Sequence, residues 1–170
     1  MSIEKITQGS KMIKFTHLKL ALFEKTALAV SLMAKNQLGA KEEPIGDDLF
    51  MSQDEQPFFE DILHEIFLSI QDSFSRLSND IENAFGIETE SLSIIVLDRE
   101  AYSPNNLELI DRMIEKTLVD GCVYRWFALK NHDSLANKSL ANFTNSTQSL
   151  GRQLFFLKKS KTGQLSLDNG

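Results

Sequence analysis

One cysteine, Cys122, stands in a chain of 170 residues. A single thiol cannot close an intrachain disulfide, and it excludes zinc sites built from paired cysteines; such sparing use suits a reducing compartment. Only three prolines and eight glycines punctuate the chain, which favours long helices. The glycines Gly39, Gly46 and Gly86 are isolated, whereas a phosphate-cradling loop needs several before a helix. The three histidines, His17, His64 and His132, lie in separate segments, and His64-Glu65 lacks the second histidine of a zinc-protease helix. They read as solvated or partly packed side chains, and no metal site is expected. There is no nucleophile elbow. The paired carboxylates Glu42-Glu43 and Glu60-Asp61 are sequence neighbours, so on a helix they diverge. The longest apolar stretch, residues 27–34, is interrupted by Ser31 and is too short to span a bilayer. The opening Met1-Ser2-Ile3-Glu4-Lys5 lacks the basic and apolar regions of a signal peptide. These absences point away from an enzyme and from any cofactor; catalysis would require a site assembled from dispersed residues.

What is present is an ordinary globular composition, 42% hydrophobic and 25% charged, at the size of one domain. The net charge of -6 is unevenly laid out. Residues 1–41 hold seven lysines against two acids, a balance of +5. Residues 42–120 hold twenty acids against four basic residues, a balance of -16, and residues 121–170 return to +5. Either the two basic ends fold back onto the acidic middle, or the ends of one molecule meet the middle of a neighbour. Complementary potentials can guide either arrangement.

The pattern predicts a mainly α fold, a bundle of about four helices with a small β element. Lys11 to Phe15 reads as a short strand, and Thr16 offers an N-cap to a first helix over 17–37 that stops at Gly39. Its apolar residues, Leu18, Leu22, Phe23, Leu28, Leu32 and Met33, spread around the helix, which predicts cover on more than one side. A polar loop over 40–51 ends in the apolar island Leu49-Phe50-Met51, which could pair as a strand or pin the loop. Ser52-Gln53-Asp54-Glu55 has capping-box spacing, and Pro57 suits a first turn. From Phe59 through Ile66, Phe74, Leu77 and Ile81 to Phe85 a three-and-four spacing predicts a second helix, with Gly86 as its C-cap. Ser91 to Leu97, apolar and β-branched, is the best strand in the chain. Its partner could be Lys11–Phe15, Leu49–Met51 or another subunit. Ser103-Pro104 opens a third helix with the stripe Leu107, Ile110, Met113, Ile114, Leu118, Cys122, Trp126 and Leu129. Gly121 inside it costs about 1 kcal/mol against alanine and suits a close approach by another element. Cys122 falls on the stripe and reads as a buried small hydrophobe. A fourth helix begins near Ser134 with Ala136, Leu140, Phe143, Thr147, Leu150, Leu154 and Leu157 at helical spacing. It is rich in Ser, Asn and Thr, so it needs packing partners. Lys158 to Gly163 reads as a basic turn. The division expected is an N-terminal arm over 1–15, a helical domain over 16–159 and a tail over 160–170.

Aromatic residues and arginine are enriched where proteins meet. In Tyr124-Arg125-Trp126-Phe127 the tryptophan continues the core stripe, while Tyr124, Arg125 and Phe127 are interface candidates. Arg152, Lys158, Lys159 and Lys161 form a basic set that could meet DNA phosphates or the acidic middle of a neighbour. Sequence-specific DNA reading is not expected of an acidic chain with no uniformly basic helix.

The order of these elements, and within it the helix ending Leu118-Val119-Asp120-Gly121-Cys122-Val123-Tyr124-Arg125-Trp126-Phe127 and the basic end Leu157-Lys158-Lys159, resembles the small head–tail connector proteins (adaptor or ring proteins) of tailed bacteriophages, especially those of Bacteroidetes hosts, including crAss-like phages. The resemblance covers about residues 11–160 in layout. The chain departs from it at Gly121-Cys122 in mid-helix and in the extra tail after Lys159. The resemblance implies a structural virion protein synthesised in the host cytoplasm and placed at the head–tail junction. There, a homo-oligomeric ring of twelve subunits would dock on the portal protein and join neighbouring connector or tail proteins. DNA would pass through the lumen with non-specific contact, and neither membrane nor cofactor is involved. The alternative is a stand-alone helical binding or regulatory module that captures a protein partner in a groove.

Overall fold

The structure, a computed structural model, describes residues 2–8, 10–38, 49–75, 84–98 and 104–164. It is mainly helical with a small antiparallel sheet. The chain opens with β1 (Ser2–Gln8) and β2 (Ser10–Leu18), then α1 (Lys19–Leu38). A 3-10 turn over Gln53–Glu55 leads into α2 (Gln56–Ser69) and the short α3 (Gln71–Ser75). Strands β3 (Ala84–Ile87) and β4 (Ser91–Asp98) precede the two long helices α4 (Pro104–Leu129) and α5 (Asp133–Gln164).

The sheet order is β1-β2-β4-β3, every neighbour antiparallel. The strand expected at Ser91–Leu97 is there, and of its three candidate partners the lysine-rich segment is the one it takes. Register runs from Lys11↔Asp98 to Leu18↔Ser91. β4 is paired on its other side by β3 over Leu92 to Ile95, so this stretch lies inside the sheet. Strand pairing through Leu18 also corrects the start of the first helix. Thr16 and His17 belong to β2, and α1 begins at Lys19, whose N–H donates to the Glu90 carbonyl at 2.9 Å. Alternation along β2 and β4 turns Ile13, Phe15, His17, Leu92, Ile94 and Val96 into the core.

The second helix is shorter than its periodicity suggests. α2 ends at Ser69, α3 adds one turn and a half, and Ala84–Ile87 is a strand. Gly86 is therefore no helix cap. It pairs with Ser93, and a Cβ there would lie 2.5 Å from the Ser93 hydroxyl oxygen. Phe85 satisfies its hydrophobicity from the sheet by packing its ring against Phe67 and Phe74, at 5.3 and 5.6 Å. The same apolar residue thus serves a strand where spacing alone read a helix. The stop at Gly39, the loop over 40–48, Leu77, Ile81, Ser103 and the segment after Gln164 lie outside the described residues.

At the start of α2, the Glu55 carboxylate accepts the Ser52 N–H at 3.0 Å, which is the reaching-back half of the expected capping box, and Pro57 takes the first turn. Burial pushes the Glu55 carboxyl up, but the Ser52 N–H and the Lys130 ammonium outweigh it and hold the group below its ordinary value. Leu49 pins the loop and does not form a strand: it is buried, and its carbonyl accepts the Trp126 indole N–H at 2.9 Å.

α4 is the helix on which the others pack; α1, α2 and α5 all contact it. Leu107, Ile110, Ile114, Leu118, Cys122 and Trp126 are buried as their spacing requires, while Leu129 is exposed at the helix end. Burial raises the Cys122 thiol far above its ordinary value, which keeps it a neutral packing residue. At Gly121 the expected close approach is real. A Cβ there would sit 2.5 Å from Ile66 Cγ2 and 2.9 Å from Phe143 Cε2, so α2 and α5 both lean on this point. α4 ends in a Schellman motif, with Asn131 N–H to the Ala128 carbonyl at 3.2 Å and His132 N–H to the Phe127 carbonyl at 3.0 Å. Asn131 takes the left-handed conformation this requires, φ 56°. α5 then runs unbroken through the Lys158–Gly163 segment, so the expected basic turn is helix.

Gly121→Ala tests this packing. The added methyl must displace a β-branched side chain and an aromatic ring, and overpacking of this kind costs about 1–3 kcal/mol. The gain in helix propensity is only about 1 kcal/mol. Urea unfolding should therefore show a net loss of stability; unchanged or increased stability would mean that α2 and α5 do not close on α4 here.

Candidate assembly surface

α1 has two faces of opposite expectation. Leu22, Phe23, Thr26, Val30 and Ala34 recur at three- and four-residue intervals and are buried against the core. Between them, Leu20, Leu28 and Leu32 point outward and are 55%, 61% and 53% exposed. The expected cover on more than one side is not met among the described residues, where α1 is covered on a single side. Lone exposed leucines need no explanation, but three on one helical face form an apolar strip.

Among the described residues, five ion pairs join the charge blocks inside the chain. Lys14 reaches Glu88 at 3.4 Å, Lys19 reaches Glu60 at 3.3 Å and Lys25 reaches Glu115 at 2.6 Å, each joining the basic first segment to the acidic middle. Arg125 to Glu65 at 3.2 Å and Lys130 to Glu55 at 2.9 Å join the basic last segment to it. Such surface pairs contribute little stability one by one. Their value here is to show which charges remain. Lys138 and Arg152 are exposed on α5 and make no ion pair among the described residues. Asp54 and Asp61, exposed at the start of α2, make none either. After internal pairing, α5 still presents a basic face and α2 an acidic one.

The interface candidates fall into different environments. Phe127 is wholly buried, so it is a core residue and no contact for a partner. The reason is the C-terminal half of α4: Gly121, Cys122, Val123, Trp126 and Phe127 are buried around most of its circumference, where a single stripe was expected. Tyr124 is half-buried with its ring stacked on Phe143 at 6.4 Å, and Arg125 is partly exposed beside Glu65. Arg152 is exposed on α5. Lys158, Lys159 and Lys161 lie on the α5 backbone, and their side chains are outside the described residues. Leu140, expected on the inner stripe of α5, is exposed, while Leu135 and Ser139 turn inward.

Sequence reading missed a buried acid–base pair. His17 is 3% exposed and Asp111 is fully enclosed, with His17 Nε2 3.2 Å from Asp111 Oδ1. The approach is close but poorly aligned, and neither this nitrogen nor either Asp111 oxygen makes a hydrogen bond among the described residues. Two signals could have found it. His17 continues the inward alternation of Ile13 and Phe15, and Asp111 falls four residues after Leu107 on the apolar stripe. Both groups are closed off from solvent, so the pair holds β2 against α4 and reaches no substrate. His64 is only partly buried; burial and the Lys19 ammonium lower its basicity, against the opposing carboxylates of Glu60 and Asp61. It lines an open groove of about 470 Å³ with Asp54, Pro57, Glu60 and Asp61. A smaller groove of about 180 Å³ between α4 and α5 is lined by Lys116, Thr117, Asn142, Asn145 and Ser146. Beside it, the Ser146 hydroxyl donates to Asp120, which also takes Lys116 at 2.6 Å. Among the described residues no cluster of His, Cys, Asp and Glu could hold a metal ion, and no helix is long and apolar enough to cross a membrane.

No protein-family model matches this chain, and neither a curated protein nor a solved structure is similar to it.

The buried pair yields a double-mutant test. His17→Leu leaves the enclosed Asp111 carboxyl without the imidazole beside it, and stranding a buried polar group costs about 1–3 kcal/mol. His17→Leu with Asp111→Val removes both polar groups and should recover most of that loss in urea unfolding. A double variant no more stable than the single one would mean that the two residues are not coupled.

Proposed function

We propose that this chain is a structural subunit of a head–tail connector, assembling with copies of itself into a ring that joins a portal to a tail. Residence in the virion at that junction follows from the same reading. The single observation that carries it is the pair of unlike charged faces left over after internal pairing, basic on α5 at Lys138 and Arg152 and acidic on α2 at Asp54 and Asp61. A ring is built from heterologous contacts, in which one surface of a subunit meets a different surface of the next. Unlike, complementary faces are what such a contact needs, and charge of this kind sets partner and register more than raw affinity. The helix carrying Arg152 continues through Lys158, Lys159 and Lys161, which places the basic set along one element. Arg152, exposed on this helix, would meet either a neighbour's acidic face or, in a lumen, DNA phosphates. The connector kind in particular is named by the likeness in sequence layout alone.

A second reading draws on the acidic groove over Asp54, Pro57, Glu60, Asp61 and His64, which would suit a stand-alone module that captures a basic segment of a partner protein.

Light scattering on the full chain at low and high salt separates the two. The ring reading expects oligomers that weaken with salt and that Lys138→Glu with Arg152→Glu abolishes. Adding Asp54→Lys and Asp61→Lys to that variant should restore them. A chain that stays monomeric at every salt and concentration contradicts the ring and favours the module.

A further inference from the structure

The outward face of α1 carries more than apolar surface. Glu24 and Lys35 are both exposed on it, and neither has an ion-pair or hydrogen-bond partner among the described residues. They stand eleven residues apart. At about 1.5 Å per residue and 3.6 residues per turn, that spacing is close to three whole turns and about 16 Å, so the two charges lie almost on one line along the helix. Leu28 and Leu32 lie between them on the same face, and Leu20 extends the strip past Glu24. Lys25, at the border of this face, is already engaged by Glu115.

An acid at one end, a base at the other and leucines between make a face that is complementary to itself when turned end for end. We propose that α1 pairs with α1 of a second copy across a two-fold axis, antiparallel. Glu24 of each chain then meets Lys35 of the other, and Leu28 and Leu32 of both chains meet at the axis. The two-fold operation makes the ion pair twice for one set of residues, as isologous contacts do. Antiparallel packing also opposes the helix dipoles, whereas a parallel pair in register would set Glu24 against Glu24 and Lys35 against Lys35. The apolar centre supplies the association, and the charges at its ends fix direction.

This inference goes beyond the ring. A two-fold contact closes on itself and pairs subunits, whereas the ring uses unlike faces on α2 and α5. The dimer stands or falls independently of whether the pairs assemble further.

The test is sedimentation equilibrium of the full chain and its variants at low concentration and moderate salt, with the wild-type chain and Leu28→Asp also run at high salt, where contacts through charged faces are weakest. The wild-type chain is expected to dimerise. Leu28→Asp should abolish the dimer. Glu24→Lys alone and Lys35→Glu alone should each weaken it about tenfold, by setting like charges against each other at both ends. Glu24→Lys combined with Lys35→Glu restores opposite charges across the axis and should return the dimer to near wild-type strength. All three substituted residues are on the surface, so unchanged circular dichroism and melting would confirm that the variants fold. A wild-type chain without dimer overturns the proposal. So does a dimer indifferent to Leu28→Asp, or a charge swap that fails to rescue. In those last two cases self-assembly itself survives and only the α1 contact is wrong.

Discussion

Everything in this fold leans on α4. Its first half is amphipathic in the ordinary way, with Leu107, Ile110 and Ile114 buried. Its second half is enclosed, because α2 and α5 approach so closely at Gly121 that no side chain fits there. That approach lets Trp126 and Phe127 be buried together, each contributing on the order of 2–3 kcal/mol of apolar burial. It also brings the Trp126 indole to the Leu49 carbonyl, and through it the loop that leads into α2. The mediocre helix formers of α5 are tolerable for the same reason. A long run of Ser, Asn and Thr holds its helix because Leu135, Ser139, Leu150 and Leu154 are packed against this centre.

With the core closed around α4, the remaining chemistry lies outside. The buried pair of His17 with Asp111 is closed off from solvent between β2 and α4. The basic ends of the chain do fold back onto its acidic middle, through Lys14, Lys19, Lys25, Arg125 and Lys130. Yet that accounting leaves exposed acids on α2, exposed bases on α5 and an apolar strip on α1. A stable single chain has no use for three outward leucines on one helix. In the proposed assembly, the contact between copies is where these leftovers would find partners.

Much of the fold could be read before the structure. The strand at Ser91–Leu97, the starts at Pro57 and Pro104, the core role of Trp126 and the close approach at Gly121 all follow from local chemistry that tertiary packing did not override. The failures have a common physical cause. Phe85 kept helical spacing with Phe74 but is held in β3 by pairing with Ile94, a contact made across the sheet and invisible to periodicity. The hairpin partner β1 is too polar in sequence to announce itself, and its pairing with β2 is carried by backbone hydrogen bonds. Leu28 and Leu32 have the composition of core residues in any one-dimensional reading, and the fold is what turns them outward. Phe127, an interface candidate by sequence, is turned inward in the same way. Only the count of helices around α4 decides which aromatic faces inward. The basic set from Arg152 onward was legible as charge, but what it meets is a property of a second molecule.

The central claim is that the faces left unpaired in one chain are covered by other copies of it. Native mass spectrometry of the full chain reads this most directly, because it reports which multiples of 19.2 kDa exist together. The account expects dimers and a discrete closed oligomer rising with concentration. A single species at the monomer mass, at every concentration, would contradict it.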